Sequence, residues 1–583
     1  MKFSELAIYM QRIEETPSRN EMTDILSRLF AEAKPDEVGD ICYLLQGRVA
    51  PQYEATEFGI ADKMMIRAIA QAYDVDTDKV TDEFKQTGDL GIAAQHILAT
   101  GHHTKHADKK LDVSHVFERL QILAHTSGVG SQDEKISVVS QLLTSSDPLS
   151  VRYLVRIPLD KLRLGFSDMT ILDSFSWMLS GTKSHRAELE RAYNVRPDIA
   201  FIAQAIKKHG ISGVSHVHAK VGAPILAALC QRIPTADEMI EKMGEVAVEP
   251  KYDGVRVQIH YKKSGSTTHA IEVKAFSRNL ENTTAMYPEL SGLPAELHAD
   301  EVILDAEAIG IDPKSGKLAS FQETMTRKRK HDIAEMSTRL PLRFFVFDIL
   351  YKDGTDLLQV PLSERNNILT KTVLPKTLLS ISPHIVTRNP QELREYHDAQ
   401  LEKGLEGVVV KKWDSGYEPG RKNYSWVKFK EEEGKTGKLT DTIDAVIMGY
   451  SRGEGKRSGF GIGMFLVGVR SEEGFLTVTK IGTGVTDEMW KSLNTSLASI
   501  QVKTQPKEYL SVNKLFTPDV WVAPKVVVEI AGDDLTKSST HGAGIAVRFP
   551  RLVRLRTDKS PDQVTTVEEL STMFANQSNL QGR

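Results

Sequence analysis

Glu249-Pro250-Lys251-Tyr252-Asp253-Gly254-Val255-Arg256 is the stretch on which the reading of this chain turns. It lies inside VAVEPKYDGVRVQIHYKK (246–263), where apolar and polar residues alternate as in a half-buried antiparallel strand. Asp-Gly within it suits a tight turn that aims the preceding lysine into a pocket. A lysine is a nucleophile only when deprotonated, and partial burial and cationic neighbours bring that within reach. Arg256, with its planar fork, suits a phosphate or ribose oxygen. Chance alone places K-x-D-G-x-R in a chain of this length with odds of roughly 0.5–1%. Taken alone, these residues also fit a surface turn carrying a salt bridge.

Outward from the motif, HAIEVKAFS (269–277), VILDAEAIGI (302–311), LRFFVFDILY (342–351) and EGVVVKKW (406–413) are strand candidates. LSERNNILTKTVL and QELREYHDAQLEKG supply helices between them, so residues 216–433 are expected to form an α+β domain. Residues 1–215 look almost wholly helical. IADKMMIRAIAQAYD (60–74), KISVVSQLLT (135–144) and DMTILDSFSWML (168–179) repeat apolar residues at helical spacing, and GHHTKHADKK (101–110) is a polar loop. After the charged stretch KFKEEEGKTGKLTD (428–441), short strands separated by Gly-rich turns predict a small β-barrel of the OB type over residues 434–583.

The bulk numbers agree with a multidomain globular protein. The chain has 583 residues, which suggests about three or four domains. It is 40% hydrophobic and 26% charged, with a net charge of −4. That charge argues against indiscriminate nucleic-acid binding, so a DNA-binding role needs local basic patches and backbone N–H groups. There are only two cysteines, which excludes a four-cysteine zinc site. No apolar run reaches about 18 residues, so no membrane span is expected. The N-terminus MKFSELAIYMQRIEE lacks signal-peptide architecture. A cytoplasmic protein is expected, associated with the nucleoid if the source is prokaryotic.

The motif at Lys251 is one of an ordered series. S-R-N (277–279), L-D-A-E-A (304–308), F-F-V-F-D-I-L (344–350), L-E-G-V-V-V-K (405–411), W-V-K-F-K (426–430) and R-F-P-R-L-V-R-L-R-T-D-K (548–559) follow it. G-D-L-G-I-A-A (88–94) and K-L-R-L-G (161–165) precede it. In this series the chain resembles the ATP-dependent DNA ligases of cellular type, within the nucleotidyltransferase superfamily. The resemblance implies three parts: an all-α DNA-binding domain (1–215), an α+β nucleotidyltransferase domain of ATP-grasp-like ligase type (216–433), and an OB-fold domain (434–583).

It also implies roles. Lys251 would attack the α-phosphorus of ATP and carry AMP as a phosphoramidate. Glu249 would accept a hydrogen bond from the adenine amino group. Arg256 and Arg278 would hold ribose and phosphate oxygens. Glu307 would bind the ribose hydroxyls, and Phe347, which shares a strand face with Phe345, would stack on adenine. Lys428 and Lys430 would reach the α-phosphate. Related ligases often carry Lys-Arg shortly before Trp426. Here Arg421-Lys422 reverses that order, so Lys422 keeps the charge but loses the fork, and either residue is a candidate nucleotide contact.

Mg²⁺ is the expected metal, with Mn²⁺ as an alternative. Glu406 is the first candidate ligand, followed by Glu307 and Asp253. Arg548 and Lys559 would meet the pyrophosphate leaving group when the last domain closes. Lys161, Arg163 and Gly165 in the helical region, and Lys456 and Arg457 in the last domain, are candidate phosphate contacts to nicked duplex DNA. A sliding clamp is a further candidate partner, although no clamp-binding motif is evident, and a monomer is expected.

Other readings stay within view. A capping guanylyltransferase or RNA ligase shares the lysine but does not need some 215 helical residues ahead of it. A binding protein on the same fold has no use for an intact Lys251, Glu307, Glu406 and Lys428 set. An NAD⁺-dependent ligase usually carries a four-cysteine zinc module.

Overall fold

Thirteen α-helices run from Phe3–Glu15 to Ser212–Ser215 among the described residues of the computed structural model. Those are 1–54, 56–100, 111–162, 164–263, 271–327, 333–420, 422–429, 442–453, 460–482, 485–532 and 534–579. The expected loop 101–110 and nearly all of 428–441 lie outside them. The chain divides into two compact units, Met1–Gln400 with Val408–Phe429, and Leu401–Gly407 with Lys430–Arg583.

Local chemistry explains the helix boundaries. Asp147 accepts hydrogen bonds from Leu149 N and Ser150 N with Pro148 at the first turn, and Asp198 caps the helix Ile199–His209. G-D-L-G-I-A-A gains a physical meaning. Asp89 accepts from Gly91 N and Ile92 N at the start of helix Leu90–Thr100, and also pairs with Arg156 at 3.1 Å. Arg156 reaches Glu14 at 2.9 Å as well, so one buried guanidinium ties three helices together. Gly91 lets two of these helices touch: a Cβ there would lie 2.4 Å from Arg152 O.

The central region is built on two sheets. Its strands are β1 (Leu229–Arg232), β2 (Val246–Pro250), β3 (Val255–Lys263), β4 (Ile271–Ser277), β5 (Glu301–Gly310) and β6 (Leu342–Lys352). Then come β7 (Thr355–Asp356), β8 (Leu379–Ile381), β9 (Ile385–Thr387), β10 (Val408–Lys412) and β11 (Lys422–Phe429). The first sheet has the order β1-β11-β10-β2-β9, and the second β4-β3-β5-β6-β7 with β8 beside β6.

The stretch 246–263 is therefore not one strand. It is two, in different sheets, with Lys251–Gly254 crossing between them. Alternation continues on both sides of the crossing, which is why periodicity alone reads it as continuous.

Each sheet buries one face against helical segments. Val246, Val248, Val408, Val410 and Val427 pack with Met239 and Met243 of helix Ala236–Met243 and with Leu393 of helix Pro390–Glu402. Val257, Ile259, Leu304, Ala306, Phe344 and Val346 pack with Leu290, Leu293 and Leu369. The opposite faces carry the site, and part of them, including Ile303, Leu350 and Trp426, packs with the helical region.

The second unit is β-rich, as expected. Its strands are β12 (Ile443–Ser451), β13 (Met464–Arg470), β14 (Phe475–Ile481), β15 (Gln501–Val502) and β16 (Tyr509–Leu510). They continue with β17 (Val520–Val522), β18 (Val527–Ala531), β19 (Asp534–Lys537), β20 (Ile545–Arg548) and β21 (Arg551–Leu555). An eight-stranded sheet curls through β15-β17-β12-β13-β14-β16, with β18 joining β12 to β21. This arrangement is consistent with an OB-fold. Two helices that the strand-rich texture of the sequence hides, Asp487–Ala498 and Val567–Asn579, accompany it. Among the described residues, no helix is long and apolar enough to cross a membrane.

Candidate active site

Lys251 sits on the four-residue crossover that leaves β2 of one sheet and enters β3 of the other. Glu249 ends the first strand and Arg256 begins the second, so the three residues flank one cleft. Gly254 is required by a close approach. A Cβ there would lie 2.6 Å from Ala308 O and 2.9 Å from Glu307 Cγ. The crossover is thus pressed against β5 at the residue that the sequence reading assigned to ribose. We expect Gly254→Ala to force the crossover off β5 and slow adenylate formation by about 100-fold, the cost of roughly 1 Å of misplacement. Single-turnover labelling checks this, and a wild-type rate would show that the contact is dispensable.

Strand register brings the other candidates into rows. Arg256 faces Glu307 across β3–β5, and Glu307 faces Phe345 across β5–β6. Between Asp305–Asp348 and Ala306–Val346 the β5–β6 register shifts, which leaves Phe347 as the extra residue of a β-bulge. Phe345 and Phe347 are both half-buried on the face opposite the core. Tyr252 stacks on Phe345 with centroids 4.4 Å apart, while Phe347 meets the edge of Trp426 at 6.0 Å. On the facing sheet, Val409 lies opposite both Glu249 and Lys428, which puts those two charged residues in one row.

Burial sets the electrostatics. It pushes the Glu249 carboxyl up to about 7 against the opposing pull of Lys411. It likewise pushes Glu307 up to about 7, opposed by Arg256 and Lys251 and reinforced by Asp305 and Asp253.

Arg256 departs from the simple expectation of a ligand-gripping fork. Its Nε and Nη2 donate to the two oxygens of Asp305 at 3.0 and 2.6 Å, its Nη1 to Ala228 O at 2.8 Å, and Nη2 also to Tyr417 Oη at 3.2 Å. Tyr417 in turn donates to Asp305. In this arrangement Arg256 is held rigidly as a wall of the cleft. Asp305 and Tyr417 are the residues that sequence reasoning passed over here. Asp305 stood inside the quoted L-D-A-E-A, but nothing in the string paired it with Arg256.

Lys411 was passed over too. It is 1% exposed, and its Nζ lies 2.8 Å from Glu249 Oε1 and 3.0 Å from Phe347 O. A cleft runs past Glu249 and Phe347 to Ser382, His384, Asn366 and Trp413.

The remaining candidates are more dispersed. Arg278 is exposed in the turn that closes β4, where Gln52 of the helical region donates to Asn279 O at 3.4 Å. Glu406 is half-buried on the approach to β10. No three His, Cys, Asp or Glu side chains among the described residues converge to hold a metal ion. Lys161 pairs with Asp62 at 2.8 Å on the surface, and Gly165 is exposed nearby. Within the second unit Lys559 pairs with Asp444, and Arg548 ends β20 with its guanidinium 5.2 Å from the Phe549 ring centroid. Arg163, Arg421, Lys430, Lys456 and Arg457 lie outside the described residues, as does the side chain of Lys422.

Two sheets facing across a cleft, with a lysine on the crossover and carboxylates, cations and aromatic rings on both walls, define a nucleotidyltransferase domain. Residues 224–430 match the ATP dependent DNA ligase domain, residues 2–176 the DNA ligase N terminus, and residues 458–559 the ATP dependent DNA ligase C terminal region. A probable DNA ligase of Dictyoglomus thermophilum is 40% identical over 99% of this chain and 98% of its own. DNA ligase 2 of Thermofilum pendens is 37% identical over the same shares. Among solved structures, Pmar-Lig_Pre aligns with a TM-score of 0.53 at 16% identity, covering 95% of this chain and 99% of that one, a likeness of fold. The chain belongs to the ATP-dependent DNA ligase family. It is a ligase that uses ATP and binds DNA.

Proposed function

We propose that the protein seals nicks in duplex DNA in three steps, with Lys251 as the nucleophile. The observation that carries this reading is the crossover itself, which sets Lys251 between Glu249 and Arg256 and presses Gly254 against Glu307. In the first step the Lys251 amine forms a bond to the α-phosphorus of ATP, the bond to the β-phosphate oxygen breaks, and pyrophosphate leaves. The 5′-phosphate of a nick then attacks the same phosphorus and releases the lysine. Finally the 3′-hydroxyl attacks the 5′-phosphate and AMP departs.

Lys251 sheds its proton to solvent before it attacks and the 3′-hydroxyl loses its proton as the new bond forms; beyond those transfers, positioning and charge dominate. Phe347 and Glu249 serve the base, Glu307 the ribose, and Lys428 with Lys430 the α-phosphate. Arg256, fixed by Asp305, orients the ribose side of the cleft, and Arg278 supports the same end. Arg421 or Lys422 adds charge beside them. Arg548 and Lys559 act on the leaving pyrophosphate, which requires Lys559 to exchange its Asp444 contact.

Glu307 feels the charges of both Lys251 and Asp253, and the carboxylates of Asp253 and Glu307 fit one or two ligand positions of a divalent cation whose other ligands are phosphate oxygens. Glu406 is the third candidate ligand. Mg²⁺ is the expected ion and Mn²⁺ its substitute, and its contribution is to neutralise phosphate charge.

Domain divisions at 215/216 and 433/434 separate DNA grip, adenylation and closure. Lys161, Arg163, Gly165, Lys456 and Arg457 are the proposed phosphate contacts. The protein acts as a monomer inside the cell, at the nucleoid in a prokaryote, in replication, repair and recombination.

Incubation with α-labelled ATP and Mg²⁺ should label the protein, and nicked duplex should discharge the label into DNA. Labelling by GTP in place of ATP would sink the ligase reading in favour of a capping-type transferase.

A further inference from the structure

We propose that Lys411 is a positioning residue that holds Glu249 ionised and turned toward the base, and that this ion pair sets the choice of ATP over GTP. The inference rests on the reading that Glu249 faces adenine.

The geometry of Lys411 is unusual for a strand lysine. Its ammonium is buried where four strands meet. It comes from β10, contacts Glu249 of β2 at 2.8 Å, and donates to the Phe347 carbonyl of β6 at 3.0 Å. Its Nζ also lies 4.3 Å from the ring centroid of Trp426 on β11, and 4.7 Å from that of Phe347. One cation therefore touches both the proposed base acceptor and the backbone of the proposed stacking residue. A buried ion pair adds little net stability compared with apolar residues of the same size, so cross-linking the sheets does not by itself account for a lysine here.

Chemistry supplies the reason. Adenine presents a donor at its exocyclic amine, and guanine an acceptor oxygen at the corresponding position. An ionised carboxylate only accepts, so it takes adenine and repels guanine. A protonated carboxyl also donates, and loses that discrimination.

The groups facing Glu249 are few. They are Lys411 from β10, Asp348 from β6, Arg365 from helix Leu362–Thr372, Tyr252 from the crossover and Tyr396 from helix Pro390–Glu402, with His384 along the cleft. Arg365 is taken up by Asp348 at 2.8 Å, and Lys411 is in direct contact with Glu249 at 2.8 Å. Burial already carries this carboxyl up to about 7 with Lys411 present.

The test measures adenylate formation from α-labelled ATP and α-labelled GTP between pH 6 and 9. The ATP-to-GTP ratio of kcat/KM cancels the titration of Lys251, which is common to both nucleotides. Lys411→Met should lower that ratio at least tenfold at pH 7, mainly through KM for ATP, and the ratio should recover toward pH 9 as Glu249 ionises. Lys411→Arg, which keeps the charge, should move the pH profile back toward wild type. A folded Lys411→Met protein with an unchanged ratio, or with a loss that does not vary with pH, overturns the inference.

If Lys411→Met does not fold, Lys411→Gln carries the test. Its ATP-to-GTP ratio should fall at least tenfold at pH 7 and recover toward pH 9, and a ratio equal to wild type across pH 6 to 9 overturns the proposal. Glu249→Gln separates the two readings. If Gln leaves KM for ATP and the ratio intact, Glu249 does not face adenine and the underlying reading fails. If Gln raises KM for ATP and lowers the ratio while the Lys411→Met profile is flat, only the role of Lys411 falls.

Discussion

Lys251→Ala is expected to abolish the covalent nucleotide adduct, a loss of at least about 10⁴-fold in adenylate formation. Neither Lys411 nor Lys428, on the facing strands, stands on the crossover that carries Lys251. Lys411 is buried against Glu249, and Lys428 stands on β11 in the facing sheet. Lys251→Arg should be equally inactive, because a guanidinium stays protonated and offers no free electron pair. The same variants should still join a nick supplied already 5′-adenylated, since that step forms its bond without the lysine. Gel analysis of labelled protein and of pre-adenylated DNA separates the two. An adduct that survives in Lys251→Ala would falsify the assignment of the nucleophile.

The second large effect is on stability. Arg365 and Asp348 are 1% exposed each, joined by two hydrogen bonds of 2.8 and 2.9 Å. Arg365 also donates to the carbonyls of Val360 and Ser415, so it anchors helix Leu362–Thr372 to β6 directly behind the bulge at Phe347. Arg365→Met removes the cation and strands a carboxylate in the interior. The expected cost is about 3–5 kcal/mol, read as an earlier urea transition of the first unit. Adding Asp348→Asn should recover much of it, because the stranded charge, rather than the lost contact, is the main penalty. A double variant no more stable than the single one would contradict that partition.

These two predictions differ in how far the sequence alone leads to them. The grouping of Lys251, Glu249, Glu307 and Phe347 around one cleft follows from short strings, and the alternation in LRFFVFDILY puts Phe345 and Phe347 on one face. Helix Asp62–Tyr73 and strands β5 and β6 likewise follow from periodicity within a residue or two at each end. What the strings do not carry is partnership at long range. Asp305 meets Arg256 from 49 residues away, and Tyr417 reaches the same guanidinium from 161. Lys411 was quoted with its motif, yet its meaning depends on a carbonyl 64 residues distant. The strand break at Lys251 was hidden for a related reason: the residues on either side of the crossing keep the same alternation while belonging to different sheets.

The order of strands in the first sheet also governs when the cleft first exists on a growing chain. β2 lies between β10 and β9, so Val248 waits for Val410, roughly 160 residues later, before its sheet can close. At ribosomal speeds of about 5–20 residues per second, that delay is on the order of 8–30 s. The helices ahead of it wait about as long, since helix Arg19–Glu32 packs on Asp168–Ser180 and helix Val38–Leu45 on Ile199–His209. During the interval β2 keeps an unpaired edge, the kind of surface that seeds aggregation. The wall opposite Phe347 that includes Trp426 is therefore complete only once β11 has left the ribosome, and a product truncated before β11 is expected to form no labelled adduct with α-labelled ATP.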